Sequence, residues 1–262
     1  PGVVVAVIVD QPTMVLEEVF GALGAQDYSN TQVLVLLTGS DADELEVVRQ
    51  IVQATVPTAH IRQLGAHIGF GVAANTALRL VEGDSGFFLI MHDDVVMAPD
   101  ALRILVEELY RSNAGMVGPK FVEWEDSRRL QAVGFDCDWF GELDSAVEPH
   151  ELDQEQHDAV RDVFVLSSAC VLVRADLFRE LDGFEPSIEF FGEDLDLCWR
   201  AHLSGARVVV VPAATARHRA SIVERLASRR SDSATLIRRA ERHRMATVVS
   251  LTGRRRLPIV LP

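Results

Sequence analysis

The sequence predicts an α/β fold: a doubly wound, mostly parallel central sheet flanked by helices. Three observations carry that expectation. Short strand-like runs recur at Val3–Val9, Val33–Leu37, His60–Leu64 and Phe87–Met91. A stretch with apolar residues at helical spacing follows each of them. The runs Val3–Val9 and Phe87–Met91 also lack polar alternation, as expected of strands covered on both faces.

In chain order, Pro12 opens a helix whose apolar positions Leu16, Val19, Phe20 and Leu23 share one face. The second run leads into Thr38-Gly39-Ser40-Asp41, where Asp41 and Glu44 resemble a capping box for a helix through Val52. After the third run comes a glycine loop, Gly65 to Gly71, and a helix over Val72–Val81. The fourth ends in His92-Asp93-Asp94; Pro99, suited to a first helical position, then starts a helix carrying Leu102, Leu105, Val106 and Leu109. In the second half, Met116–Pro119 reads as a short strand and turn, and Gln131–Asp138 as another strand. Glu142–Asp162, rich in acids and poor in large apolar residues, reads as a mobile loop. Val163–Val173 is a strong apolar run, followed by a short helix over Asp176–Leu181 that stops at Gly183-Phe184. Phe190-Phe191-Gly192-Glu193-Asp194 leads into a helix carrying Leu195, Cys198, Trp199 and His202, with Gly205 as its stop. Val208–Val211 is the last strand, ending near His218, and a helical, Arg-rich tail follows.

With 262 residues, 48% of them hydrophobic, the chain has ample material for one large domain. We expect this domain over 1–216, with halves 1–115 and 116–216, and a tail over 217–262. No apolar run approaches the roughly 20 residues needed to span a bilayer. The start lacks the basic region of a signal peptide. A first residue other than Met, and a basic-then-apolar end at Arg254–Pro262, read as a piece of a longer chain, with a membrane portion as one continuation. Three scattered cysteines fit neither a disulfide framework nor a zinc site, which points to a reducing, cytoplasmic setting. The net charge of −14 divides unevenly: 12 arginines against Glu224, Asp232 and Glu241 give Arg217–Arg256 a charge of +9, leaving −23 elsewhere. An acidic body argues against a nucleic-acid partner. The basic tail suits anionic lipid at the inner face of the cell membrane, or another domain, and is equally compatible with an ordinary solvated helix face.

Two acid clusters stand out. Asp93 and Asp94 follow a buried strand at its carboxyl end, where open α/β sheets bind ligands. Carboxylates there hold a hard divalent cation, and the cation holds phosphate; capping of the next segment is the plainer alternative. Glu193-Asp194-Leu195-Asp196 begins a helix, where acids complement the dipole, yet Phe190 and Phe191 place them beside an apolar wall that raises a carboxyl pKa. A metal cluster and a proton-accepting cluster together are the minimal equipment for transfer from a phosphate-activated donor. His218 offers a further ligand, or is an ordinary histidine. Gly65, Gly69 and Gly71 lack dinucleotide-fingerprint spacing, and no phosphate loop with Gly-Lys-Ser/Thr exists, so neither cofactor class fits. Gly69 and Gly71 can let backbone approach a ligand or serve as plain turn residues.

The order of these pieces resembles family 2 glycosyltransferases of the GT-A fold, especially their rhamnosyltransferase-like branch, from about Val3 to Ser221. The most specific stretches are Ser167-Ser-Ala-Cys-Val-Leu-Val-Arg174 through Gly183-Phe184, Phe191-Gly-Glu-Asp-Leu-Asp-Leu-Cys-Trp-Arg200, and Gly205-Ala-Arg-Val-Val-Val-Val-Pro212 with His218. Gly69-Phe70 with Asn75, and Asp94 with Pro99-Asp100-Ala101-Leu102, match the donor half. The resemblance implies an inverting, metal-dependent transfer of sugar from a nucleotide-diphosphate-sugar to a hydroxyl of a glycan or lipid-linked acceptor in cell-envelope polysaccharide synthesis. It places Asp94 on the last acid of the D-x-D motif, binding Mn²⁺ or Mg²⁺, with His218 completing the metal site. Asp194 falls on the catalytic base. Asp10, Gly69, Asn75, His92 and Asp93 fall on the donor side, Glu193 and Trp199 on the acceptor side. Three donor-side positions depart from the pattern: His92 replaces the first acid of D-x-D, Leu37-Thr38 replaces the usual nucleoside-contacting Asp, and His67 replaces an Asn. A non-catalytic GT-A module kept for binding is the alternative expectation. A sugar nucleotidyltransferase would need a Gly-rich loop with Arg and Lys near Val5–Thr13, which is absent.

Overall fold

The computed structural model describes residues 1–39, 41–65, 68–81, 86–188, 191–220 and 233–252. Its first half alternates strand and helix: β1 (Val3–Val9), α1 (Leu16–Gly24), β2 (Thr31–Leu37), α2 (Ala42–Thr55), β3 (His60–Gln63), α3 (Phe70–Leu80) and β4 (Phe87–His92). Then come β5 (Val95–Met97), α4 (Ala101–Arg111), β6 (Met116–Glu123) and the short β7 (Leu130–Ala132), β8 (Asp136–Cys137), β9 (Leu143–Asp144) and β10 (Arg161–Asp162). The chain continues through β11 (Cys170–Arg174), α5 (Ala175–Glu180), α6 (Glu193–Leu203), β12 (Val208–His218) and α7 (Ser233–Leu251).

The main sheet runs β10-β12-β6-β11-β4-β1-β2-β3, with β5 on β12 and β7 on β6. β1, β2, β3 and β4 are mutually parallel, and β6 is parallel to β12, whereas β11 is antiparallel to both β4 and β6. The chain winds outward from β1 to β3 and returns to place β4 on the other side of β1. That reversal opens a crevice beyond the carboxyl ends of β1 and β4, the switch point at which such sheets bind ligands. Both faces of β1 are covered, as its unbroken apolar run predicts. Val3, Val5, Val7 and Val9 pack with Leu16, Phe20 and Leu105, while Val4, Ala6 and Ile8 pack with Phe70, Phe88 and Phe184.

The expected capping box is present: the Asp41 carboxylate accepts from the Asp43 and Glu44 N–H groups, and Glu44 accepts from the Asp41 N–H. Several expectations are corrected. Helix α1 starts at Leu16 and not at Pro12, and Pro99 precedes α4, which begins at Ala101. β6 passes straight through Pro119 and ends at Glu123. Proline in a strand needs a place where its missing N–H costs nothing. Here β6 leaves β11 after Val117 and joins β7 at Phe121, and its pairing with β12 shifts register between Val211 and Thr215. The run Val163–Val173 is strand only from Cys170, and the strand expected over Gln131–Asp138 is split between β7 and β8. The acidic segment Glu142–Asp162 is no free loop. Buried Lys120 pairs with Asp153 and Asp158, each at 2.7 Å, and the backbone of Leu130 bonds to Glu151 at 2.8 Å. A lone buried ammonium requires such partners, which is why the segment's acids are fixed in place.

Candidate active site

Strand register assembles the first cluster. β4 ends at His92, the Asp93-Asp94 turn follows, and β5 then pairs antiparallel with β12 so that Val95 faces His218. The Arg219 N–H donates to the Asp94 carbonyl at 3.1 Å and closes that corner. Asp94, fully buried, therefore has His92 Nδ1 at 3.9 Å and His218 Nε2 at 3.5 Å from Oδ1. Ligand atoms of the three side chains lie within 4.8 Å of one another. His218 Nε2 is buried without a hydrogen-bond partner, and a buried carboxylate must be paired, protonated or metal-bound. These residues thus fit a divalent cation. Aromatic edges hold the imidazoles: Phe70 lies 4.5 Å from His92 between ring centres, and Phe121 lies 5.5 Å from His218.

Asp93 turns the other way, where its carboxylate accepts from the Asp10 N–H at 3.3 Å and Asp10 in turn accepts from the Thr38 hydroxyl at 3.2 Å. The ends of β1, β2 and β4 are linked in this way along the switch-point crevice. Asn75, expected on the donor side, is bonded to the backbone of a distant residue. Its amide donates to the Phe184 carbonyl and accepts from the Phe184 N–H, both at 2.8 Å, clamping Gly183-Phe184 to α3. Gly71 serves the same contact, since a β-carbon there would stand 2.8 Å from Phe184 Cβ. Gly69 is the residue from which α3 starts, in extended conformation. His67 lies outside the described residues.

The second cluster sits on the first turn of α6. Buried Glu193 accepts from the Ser168 hydroxyl at 2.9 Å, and burial pushes its carboxyl up against the pull of nearby backbone N–H groups. Burial and the neighbouring Glu193 charge push half-buried Asp194 up to about 7, while the Leu195 N–H donates to its Oδ1 at 2.8 Å. A helix N-terminus would lower these values; desolvation outweighs it here. Phe191 belongs to this turn, whereas Phe190 lies outside the described residues. Asp196 instead pairs with Arg200. Trp199, expected on the acceptor side, lies more than a helical turn beyond Asp194, and its ring packs against Phe164 at 5.4 Å.

One dipeptide joins the clusters. The Ser168 hydroxyl bonds Glu193, and the carbonyl of the next residue, Ala169, accepts from the His92 N–H at 3.0 Å. Neither Ser168 nor Phe70 announces a role in the sequence, because Ser168 meets Glu193 and Phe70 meets His92 only through contacts distant in sequence. A cleft of about 380 Å³ lined by Phe87, Tyr110, Arg174 and Arg179 lies at the opposite end of β4. Five residue steps along β4, roughly 17 Å at 3.3 Å each, separate Phe87 from His92, so that cleft is not part of this site.

Comparisons with known proteins agree with this architecture. The family model described as Glycosyltransferase like family 2 matches residues 1–246. The N-acetylglucosaminyl-diphospho-decaprenol L-rhamnosyltransferase of Mycobacterium tuberculosis is 28% identical over 181 residues, 62% of this chain and 59% of that protein. The O-antigen biosynthesis protein RfbC of Myxococcus xanthus is 26% identical over 230 residues, 86% of this chain and 17% of that protein. The pre-mycofactocin glycosyltransferase of M. tuberculosis is 27% identical over 154 residues, 57% of this chain and 30% of that protein. The chain thus spans between about a sixth and three-fifths of these relatives. Among solved structures, GalNAc-T7 with UDP, GalNAc and Mn²⁺ superposes with a TM-score of 0.69 at 10% identity, over 83% of this chain and 43% of that one. S. aureus TarS with UDP-GlcNAc gives 0.61 at 18% identity, over 84% and 59%. These two likenesses establish the GT-A fold. Among the described residues no helix is long and apolar enough to cross a membrane. With the match running through nearly the whole chain and the fold in agreement, this protein belongs to the glycosyltransferase-like family 2.

Proposed function

We propose that this chain carries an inverting transfer of sugar from a nucleotide-diphosphate-sugar to a hydroxyl of a glycan or lipid-linked acceptor, in cell-envelope polysaccharide synthesis. The observation that carries the reading is the pairing of two acid clusters across Ser168-Ala169, one set among imidazoles and one desolvated. His92, Asp94 and His218 would hold the cation, and two imidazoles with one carboxylate suit Mn²⁺ better than Mg²⁺. A cation held by these three side chains would supply positive charge to the departing diphosphate. His92 thereby takes the place of the missing first acid of D-x-D as a ligand, rather than as a donor contact. Asp10 and Asp93 line the donor side of the crevice. Asp194, ionised, accepts the acceptor hydroxyl's proton as that oxygen attacks the anomeric carbon. The bond from that carbon to the phosphate oxygen breaks, its electron pair leaves with the nucleoside diphosphate, and the anomeric configuration inverts. Glu193 holds the acceptor edge in place through Ser168. Support for the acceptor class comes from the rhamnosyltransferase and O-antigen relatives, and for donor and cation from the UDP and Mn²⁺ named for GalNAc-T7. Outward-facing Arg238 and Arg242 on α7 would suit an anionic membrane face near a lipid-linked acceptor.

Calorimetric titration of UDP, GDP and dTDP, with and without Mn²⁺, tests the proposal. We expect one nucleotide to bind only with the metal, and Asp94→Ala to abolish that binding. Silence from all three under both conditions would leave a non-catalytic GT-A module.

A further inference from the structure

Read as sequence, the Arg-rich segment after His218 is an appendage. In the structure α7 packs on α6, burying Leu236, His243, Thr247 and Val248. It also meets the tip of the β8–β9 hairpin. Gly141, at φ +77°, has no room for a β-carbon: one would lie 2.7 Å from Val248 Cγ2 and 3.4 Å from Leu195 Cδ2. The Arg244 guanidinium, on the same helix, pairs with Glu241 and Glu142 and donates to the Phe140 carbonyl. Helix α7 and the hairpin therefore converge on the start of α6.

What they surround is an unusual turn. Phe191 has φ +61° and Gly192 φ +99°, two consecutive left-handed residues immediately before Glu193 and Asp194. For a residue with a side chain as large as Phe this conformation is strained, so the surroundings must hold it. No side chain caps α6 at Gly192. The Phe191 carbonyl instead lies 3.2 Å from His243 Nδ1. A carbonyl only accepts, so Nδ1 carries the proton. A β-carbon on Gly192 would sit 3.5 Å from His243 Cβ, which seats the imidazole directly against the turn.

We infer that His243 is a positioning residue for the transfer step: through the Phe191 carbonyl it holds the left-handed pair from which Asp194 projects, making α7 a working wall of the acceptor side. The inference rests on Asp194 being the base. The ionisable groups around the turn are Glu193, Asp194 and Asp196 of α6, Arg244 and Glu241 of α7, and Glu142 of the hairpin.

The test is a carboxyl-carbon NMR titration of the full chain labelled with ¹³C at aspartate, with the Asp194 signal assigned by its loss in Asp194→Asn. In the unsubstituted protein it should titrate near 7. His243→Ala removes the ring and admits water. The Asp194 acid dissociation constant should then rise about tenfold or more, toward that of an ordinary carboxylate. His243→Asn places an amide nitrogen where Nδ1 stands and should restore the original midpoint; His243→Gln carries its amide one bond further out and should not. Circular dichroism reports whether each variant is folded, and if His243→Ala is not, the Asn and Gln variants decide. An unchanged midpoint in folded His243→Ala, or rescue by Gln equal to that by Asn, would overturn the inference. The titration needs no substrate, so its failure is separable from failure of the base assignment, which would appear as full turnover by Asp194→Asn.

Discussion

Around Asp94 the fold gathers nitrogen ligands: two imidazoles approach its Oδ1 within 4 Å, brought there by the end of β4 and by the pairing of β5 with β12. Around Asp194, among the described residues, the influences run the other way. The neighbouring charge is another carboxylate, Glu193, and burial is the largest influence on both. Ser168-Ala169 links the Glu193 side chain to the His92 backbone and so joins the two clusters, yet one environment favours a cation and the other a proton. The comparison teaches that residue type leaves the role open and that surroundings assign it, as with paired carboxylates in other enzymes.

Separate substitutions should break this pair apart. Asp194→Asn keeps the shape and removes the proton acceptor, so turnover should fall by a factor on the order of 10²–10⁴, with nucleotide affinity in Mn²⁺ unchanged by calorimetry. Asp94→Ala should act on the opposite quantity. Losing a ligand outright should weaken Mn²⁺ binding at least about as much as losing an outer-shell partner, roughly 10–100-fold, read by direct titration of Mn²⁺. If both variants moved the same quantity, the division of labour drawn between the two clusters would be wrong.

The legible parts of the molecule were those written locally. The capping box at Asp41 and Glu44, the buried run of β1 and the strand leading to His92 each depend on residues a few positions apart. The candidate site reads in the sequence as two acid clusters, and the structure brings Asp94, His218 and His92 together. What stayed hidden depends on distant partners. Asn75 bonds Phe184 across 109 residues, and nothing near position 75 distinguishes a clamp from a ligand contact. Pro119 read as a strand end because its tolerance depends on where β11 and β7 leave and join β6. Lys120 disclosed nothing about the acidic segment until Asp153 and Asp158 were seen beside it.

The clamp sharpens the comparison from the structural side, because Phe184 packs on Phe70 and Phe70 on His92. Asn75→Ala strands a buried N–H and a buried carbonyl, each costing about 1–3 kcal/mol. A domain of this size shifts its Tm by roughly 2–4 °C per kcal/mol. A fall of about 5–15 °C in a thermal melt is therefore expected. Mn²⁺ affinity should weaken with it as His92 loses its support, while Asp194, held from α6, keeps its titration. A change confined to nucleotide affinity, with the melt unmoved, would return Asn75 to the donor site.

The smallest expected effect concerns pH. Asp194 is raised in the folded protein from 3.8 to about 7, so between those values the folded state holds a proton that the unfolded chain has released. Stability contributed by this group is therefore present at low pH, is lost as pH rises through that window and stays lost above it. Asn carries no proton to lose. Asp194→Asn should melt higher than the unsubstituted protein near about pH 8, by an amount on the order of 2–4 °C once partial exposure is allowed for. The gap should shrink as pH is lowered toward about 4. Turnover should follow the opposite course, rising as pH passes upward through about 7, because only the ionised carboxylate accepts the hydroxyl proton. A melting gap independent of pH would mean that Asp194 is ionised throughout, and the contrast with Asp94 would then lie in geometry alone.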